Sequence, residues 1–598
     1  MNWSLSTDRI GKLRRLALLA PLAVIATFCA PARQSAAANH GLAHTYIVQA
    51  PDEQRAEEAV RTSGGQVLAA LPIIDAVGAS LTDQQRDQLS HQSAVRIYRN
   101  REVTSASNQA SNFASVLNNV VSQYSNSVQL TSGTATQAIS VLYDPNYSML
   151  VGADTLQTAG ITGSGITIAV LDSGLWQTNE DQWGSRLLAS VDFVGTANAA
   201  VWSGDPNGHG THITSIAASG RQNIAGSYYG IAPKANVVVA RAFDVNGSAS
   251  YLDVIKGLNW IIANRRKYHI RVLNLSFGAP PQSYYWDDPL NQAVMKAWKV
   301  GIVVVASAGN SGPAPMSIGV PGNVPYVITT GALTDNFTPY DPTDDKLASF
   351  SSTGPTFEGF VKPEVVAPGG HMVATMPNGS YLVSLFGANM RPYQTLFTMS
   401  GTSQAAAVTS GVVALMLQSQ PSLTPDAVKC KLMSAARPAV TSSGALAYSV
   451  FQQGAGLINA VSAINSAATQ CANVGLNVAA DLAGTAHYGG PAHIDANGKY
   501  YVMNMDGSTW ASPLAGDGYV WSRAYTGTLG YIWSQGYVWS QGFVWSQGYV
   551  WSQGYVWSRG CAWAQGYVWS QALGWVPGTF VSDGLTQPAS VDPWVSNE

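Results

Sequence analysis

The chain has 598 residues, 46% of them hydrophobic and 11% charged, with a formal net charge of −3. That length admits about two to four domains and at least one large core. The balance of charge supplies no basic field for nucleic acid and no acidic solvating tail, so neither is an expected partner or feature. Arg9, Lys12, Arg14 and Arg15 precede the apolar run Leu16 to Ala30, and Ser35-Ala36-Ala37-Ala38 follows it. This is the layout of an export signal over residues 1–38, which implies a secreted product, extracellular or associated with the cell surface. The run is broken by Pro21 and ended by Pro31, and no other uninterrupted stretch of about 18 apolar residues occurs, so no transmembrane segment is expected in the mature form. Lipid modification at Cys29 is the alternative, disfavoured by the bulky Phe28 before it.

Residues 44–103 read as strand (Tyr46 to Val48), helix (Asp52 to Arg61), a Gly64-Gly65 turn, strands (Gln66 to Leu71, Ala76 to Ser80), helix (Thr82 to Leu89) and strand (Val95 to Tyr98). The order βαββαβ predicts a ferredoxin-like α+β unit. Residues 104–144 form a linker that carries no Asp, Glu, Lys or Arg before Asp144, with at most a marginal helix around Phe113 to Val121. From 145 to 470, strand-like runs at Ile166 to Leu171, Val237 to Ala240, Val272 to Leu275, Ile302 to Ala306 and Tyr326 to Thr330 alternate with helical patterns. The helices fall near His209 to Ser219, Ser250 to Asn264, Pro289 to Val300 and Gln404 to Gln418. Near-continuous Val and Ile runs between helices predict an α/β domain around a mostly parallel sheet buried on both faces, in three layers.

Residues 471–518 read as a connector, 519–575 as a repeat and 576–598 as a tail. The repeat has a period of six, most often "YVWSQG", with Trp521, Trp533, Trp539, Trp545, Trp551, Trp557, Trp563, Trp569 and Trp575 in one register. An even period puts Tyr and Trp on one face of an extended chain, so stacked short strands are expected, with a tolerated low-complexity expansion as the alternative. Such an aromatic face would suit contact with polysaccharide or another envelope component, unless it packs on itself. Four cysteines are too few for a disulfide scaffold, and Cys29, Cys430, Cys471 and Cys561 have no metal-ligand spacing. Export permits one bridge, and Cys430 with Cys471 is the expected pair, since both sit near the end of the α/β domain.

Serine acyl transfer needs a nucleophile, a base, a group that orients the base, and donors for an oxyanion. Asp172 in "AVLDSG" ends a buried strand, His209 in "NGHGTH" opens a helix, Asn310 ends "VVVASAGN", and Ser403 in "SGTSQAA" precedes an apolar helix. Each has a structural reading as a cap or turn residue, but four such motifs in order favour the chemical one. Together, "VLDSGL", "NGHGTHITSIAAS", "LNLSFG", "ASAGNSG" and "SGTSQAA" resemble the signature segments of the subtilisin-like serine proteases, which share the chain order Asp, His, Ser.

The resemblance implies a catalytic domain of subtilisin type at 145–470, with 44–103 as an inhibitory propeptide. It implies Ser403 as nucleophile, His209 as base and Asp172 as its orienting carboxylate. Asn310 and the Ser403 N–H would form the oxyanion hole, and Ser276, Phe277 and Gly278 would lie along the substrate backbone. The chemistry requires no cofactor, and no metal ligands are assigned because the family's calcium sites find no motif match here. Protein or peptide substrates are the expected partners, with the chain's own propeptide as intramolecular inhibitor. The chain departs from the family after the nucleophile, where Ala407 and Val408 replace the usual Pro and His. The expectation is therefore a secreted serine endopeptidase made as a zymogen. The alternative is a cell-surface adhesion or retention protein whose protease domain serves mainly its own maturation.

Overall fold

Strand β1 (Ala43–Gln49) sends successive side chains to opposite faces, and the two faces enter different cores. Tyr46 and Val48 pack with Ala56, Val60, Val77, Ala79, Leu81 and Leu89 beneath helices α1 (Glu53–Thr62) and α2 (Asp83–Ser90), whereas Ile47 joins the large core of the body that follows. Asp52 caps α1, and Thr82 with Gln85 caps α2 in a reciprocal capping box. Strands β2 (Gln66–Leu71), β3 (Ala76–Thr82) and β4 (Arg96–Arg99) complete an antiparallel sheet of order β2-β3-β1-β4, the ferredoxin-like arrangement. The computed structural model describes residues 42–104, residues 147–502 apart from 178–179, 196–198, 224, 337–343, 392–394, 442–445 and 495–498, and the strand Tyr525–Gly527. The leader, the linker with its expected helix near Phe113, and the tryptophan repeat apart from that one strand lie outside the described residues.

The second sheet is built from β6 (Thr167–Asp172), β7 (Leu187–Asp192), β8 (Ala200–Val201), β9 (Asn236–Arg241), β11 (Ile270–Leu275), β12 (Val303–Ser307), β13 (Ile328–Thr334), β14 (Lys346–Leu347) and β15 (Val365–Pro368). Its order is β14-β13-β12-β11-β6-β9-β7-β8, with β15 also on β13, and the pairs are parallel except β7 with β8 and β13 with β14. The chain leaves β6 toward β9 and β7 on one side and later fills β11, β12 and β13 on the other, so the order reverses at β6. In such sheets reactive groups gather beyond the carboxyl ends at that reversal. β7 and β15 are not evident in the sequence, because "LLASVD" alternates weakly and "VVAPGG" reads as a turn.

Helices α3 (His209–Ala218), α4 (Tyr251–Asn264), α5 (Pro289–Lys299) and α6 (Thr402–Ser419) cover the sheet. α6 is buried from Thr402 to Leu417, so it is covered on all sides, and it packs on β11, β12, β13, β15 and α3. It starts two residues before the expected Gln404 and runs unbroken through Ala407 and Val408, where a proline would remove a hydrogen bond.

The N-terminal unit docks on α4 and α5. Gln49 donates from Nε2 to Gln292 Oε1 at 2.8 Å, Arg96 pairs with Asp287 at 3.4 Å, and Leu252 N donates to Asn100 Oδ1 at 2.9 Å. Strand β5 (Glu102–Thr104) then adds antiparallel to β10 (Ser248–Ser250).

The packed body does not stop at residue 470, where the sequence places the start of a connector. Cys430 and Cys471 are disulfide-bonded, and Tyr488, Ala492 and Val502 belong to the large core. A short helix (Val478–Leu482) and a hairpin (Ala492–Ile494 with Tyr500–Val502) lie within this strap, which runs from Cys471 to Val502. Its anchors are isolated residues without helical or strand period, which is why composition alone reads it as a connector.

Candidate active site

Asp172 is the last residue of β6 and is buried, as is His209 at the start of α3. Their side chains meet at 2.8 Å between Oδ1 and Nδ1. A carboxylate only accepts, so Nδ1 carries the proton and Nε2 is left as the basic nitrogen. The Ser173 N–H also donates to Asp172 Oδ1, at 2.8 Å, fixing the carboxylate. Glycines let the helix start fit here. Gly208 has φ +102°, and a Cβ on Gly210 would lie 2.4 Å from the Gly174 carbonyl oxygen.

Sequence reading passed over Asp205, which ties this corner together. Its Oδ1 accepts from Ser173 Oγ and Gly208 N, each at 2.8 Å, and its Oδ2 accepts from Thr211 N at 2.7 Å and Thr211 Oγ1 at 2.8 Å. One carboxylate therefore joins the loop after Asp172 to the first turn of α3. Its burial raises its pKa above the ordinary value, against the pull of those hydrogen bonds. The available signal was an Asp four residues before His209, which reads as a turn residue of "DPNG".

Ser403 is the second residue of α6, in the turn whose N–H groups have no intrahelical acceptor. Its hydroxyl donates to the Ser276 carbonyl oxygen at 3.0 Å. In return Ser276 Oγ donates to the Ser403 carbonyl oxygen at 3.0 Å, and Asn274, whose Oδ1 accepts from Ser410 Oγ, donates from Nδ2 to Ser276 Oγ at 2.8 Å. The Ser276 side chain thus serves the Ser403 backbone. Phe277 is also turned inward, its ring 5.1 Å from that of Phe243. Gly278 has room beside it, since a Cβ there would meet only the Val320 carbonyl oxygen, at 3.7 Å.

Asn310 Oδ1 accepts from Thr402 N at 3.0 Å and from Thr402 Oγ1 at 2.9 Å. A backbone N–H can only donate, so the oxygen must face Thr402 and Nδ2 is the outward donor. The structure thus brings Asp172, His209, Ser403 and Asn310 to one end of the sheet, with Ser276–Gly278 beside Ser403.

His212, one turn beyond His209, is fully buried. Its Nε2 faces the Phe397 carbonyl oxygen at 3.0 Å and its Nδ1 accepts from Gln404 Nε2 at 3.5 Å, a pattern that suits only the neutral ring. Burial lowers its pKa to about 3. The unfolded ring titrates near 6.5, so stability is full above that pH and falls as pH drops from about 6.5 toward 3, by about 1.4 kcal/mol per unit. His212→Gln should remove this slope, so its deficit against the parent should shrink from pH 7 to pH 5 in urea unfolding of the inactive Ser403→Ala protein. A pH-independent difference would contradict neutral burial.

Among the described residues, no group of three or more His, Cys, Asp or Glu is placed to hold a metal ion, and no helix is long and apolar enough to cross a membrane.

Residues 163–456 match the subtilase family. The chain is 39% identical over 274 residues to serine protease AprX of Bacillus subtilis, covering 45% of this chain and 60% of that protein. It is 31% identical over 312 residues to subtilisin DY of Bacillus licheniformis, covering 52% of this chain and 94% of that protein. Subtilisin E of Bacillus subtilis is 31% identical over 311 residues, with 52% and 68% covered. These matches extend over the α/β body that carries the buried Asp172–His209 pair, Ser403 and Asn310, and the chain belongs to the subtilase family of serine endopeptidases.

Proposed function

We propose that this chain is a secreted endopeptidase that cuts proteins through an acyl-enzyme on Ser403 and is made as a zymogen. The reading rests on the buried 2.8 Å contact of His209 Nδ1 with Asp172, which dedicates Nε2 to proton transfer. In the resting site Ser403 donates to the Ser276 carbonyl, and reaction requires that proton to pass to His209 Nε2 as Oγ attacks the scissile carbon. His209 then returns the proton to the leaving amine, and water repeats the cycle to release the acyl group. Asp172 holds the imidazole in the tautomer this needs and stabilises its charged form. Asn310 Nδ2 and the Ser403 N–H meet the oxygen where charge develops.

Residues 44–103 act as inhibitor until they are cut away. In support, β5 extends the edge at β10, and the segment leading to β10 is tied to the His209 loop by Asn207 Nδ2 donating to the Val245 carbonyl at 3.0 Å. Export follows from the leader layout alone.

Asn310→Asp tests the assignment with little disturbance, because the acid keeps an oxygen for Thr402 and replaces only the donor. kcat on a peptide substrate should fall by about 10²–10³-fold with KM little changed. A rise in KM at unchanged kcat would place Asn310 in ground-state binding instead.

A further inference from the structure

We propose that the strap from Cys471 to Val502 braces the pocket for the residue before the scissile bond, with Asp481 as the positioning residue that fixes the spacing of its walls. This rests on reading Ser276–Gly278 as the substrate strand. Two segments diverge from that strand's end. One continues through Ala279 to Tyr285, and the other runs from Gly319 to Tyr326. Their near ends are bonded in both directions, Ala279 N to Val320 O at 2.9 Å and Val320 N to Ala279 O at 2.7 Å. Their far ends converge on one atom, since Tyr285 and Tyr326 both donate their hydroxyls to Asp481 Oδ2, at 2.6 and 3.0 Å. A single carboxylate oxygen therefore closes the frame that the Ala279–Val320 bridge opens.

The grip on this frame is reinforced from the same strap. Asp481 Oδ1 pairs with His487 Nδ1 at 2.7 Å, and the His487 ring stacks on Trp286 with centroids 4.6 Å apart and planes 11° from parallel. Gly490 N donates to the Glu358 carbonyl oxygen at 2.7 Å, while Glu358 Oε1 accepts from Tyr285 N at 2.8 Å. Farther along, the Tyr500 hydroxyl meets Met316 Sδ at 2.9 Å, in the loop that follows Asn310. The strap's own origin is fixed by the Cys430–Cys471 disulfide and by Asn473, whose side chain bonds Lys429 and the Tyr326 carbonyl. Both arms of this frame and the loop after Asn310 are thus held by one length of chain. Packed walls do not deform continuously, so loosening this frame changes which side chain fits more than it changes the chemistry.

The test uses the full chain, with active molecules counted by burst titration with a fluorophosphonate and kinetics measured on peptides that differ only in the residue before the cut. Asp481→Asn keeps the volume but removes the charge that two hydroxyls and an imidazole share. The ratio of kcat/KM for Phe over Ala at that position should change by about tenfold or more, with kcat per active site on the best peptide within about twofold. Tyr326→Phe, which keeps the ring, should shift the ratio in the same direction by less, and it decides the matter if Asp481→Asn does not fold. An unchanged ratio in either folded variant, with only the active fraction or Tm reduced, would overturn the proposal and leave the strap a structural element. Gly278→Ala separates the underlying reading. If it shifts the ratio while the Asp481 and Tyr326 variants do not, the brace fails alone. If Gly278→Ala leaves every peptide unaffected, the substrate-strand reading fails, and the brace with it.

Discussion

Replacing Ser403 by alanine should lower kcat by about 10⁶-fold, the scale on which a triad acts as a unit, while leaving the chain folded. The side chain is fully buried, and its hydroxyl donates to the Ser276 carbonyl oxygen. Losing that bond costs about 1 kcal/mol, and the smaller methyl occupies the same place. The reciprocal bond from Ser276 Oγ goes to the Ser403 backbone and survives the substitution. Folding and chemistry are therefore separable at this position. Residual hydrolysis should remain above the uncatalysed rate, because Asn310 and the first-turn N–H groups of α6 still surround the reacting carbonyl. Steady-state and single-turnover assays on one peptide, with circular dichroism as the control on folding, measure the effect. A folded Ser403→Ala protein of undiminished turnover would remove the nucleophile assignment.

Asp172→Asn should cost about 10⁴-fold in kcat through the proton it misplaces. The amide can turn its oxygen or its NH₂ toward His209. Ser173 N donates to the same Oδ1 that holds His209, so an oxygen kept there leaves Nδ1 its proton, whereas an NH₂ turned there strands the Ser173 N–H. With NH₂ toward the ring, the imidazole accepts at Nδ1 and Nε2 becomes the protonated nitrogen, unable to take the serine proton. Either way the charge that stabilises the imidazolium is gone. The loss should ease as pH rises, since added hydroxide substitutes for the missing base. The kcat profile of the variant from pH 7 to 10 measures this, and a loss of less than tenfold would show that Asp172 does not orient His209.

Asp172, His209 and Ser403 were legible because each stands at or next to the end of an element, β6, α3 and α6, inside a distinctive local motif, and Asn310 because it follows the apolar run of β12. What these residues rest on was not. Ser276 and Phe277 read as substrate contacts, yet one side chain is spent on the Ser403 backbone and the other on the core, leaving the backbone edge and Gly278 for that role. Asp205 escaped notice because a carboxylate in an Asp-Pro turn has the local grammar of a solvent-exposed bend. The strap escaped for a different reason. Asp481 finds Tyr285 196 positions and Tyr326 155 positions away, and a pairing across such distances leaves no periodic trace around any partner. The ferredoxin-like unit, by contrast, was readable almost residue by residue, since its contacts within the unit are local and alternate with clean strand and helix periods.

The most direct measurement is covalent labelling of the active chain with a fluorophosphonate, followed by mapping of the modified peptide. One label per active molecule should appear on the peptide that contains Ser403, and the labelling rate should collapse in His209→Ala, where nothing remains to take the hydroxyl proton. A label on another serine, or one on Ser403 whose rate is indifferent to His209, would contradict the assignment of nucleophile and base.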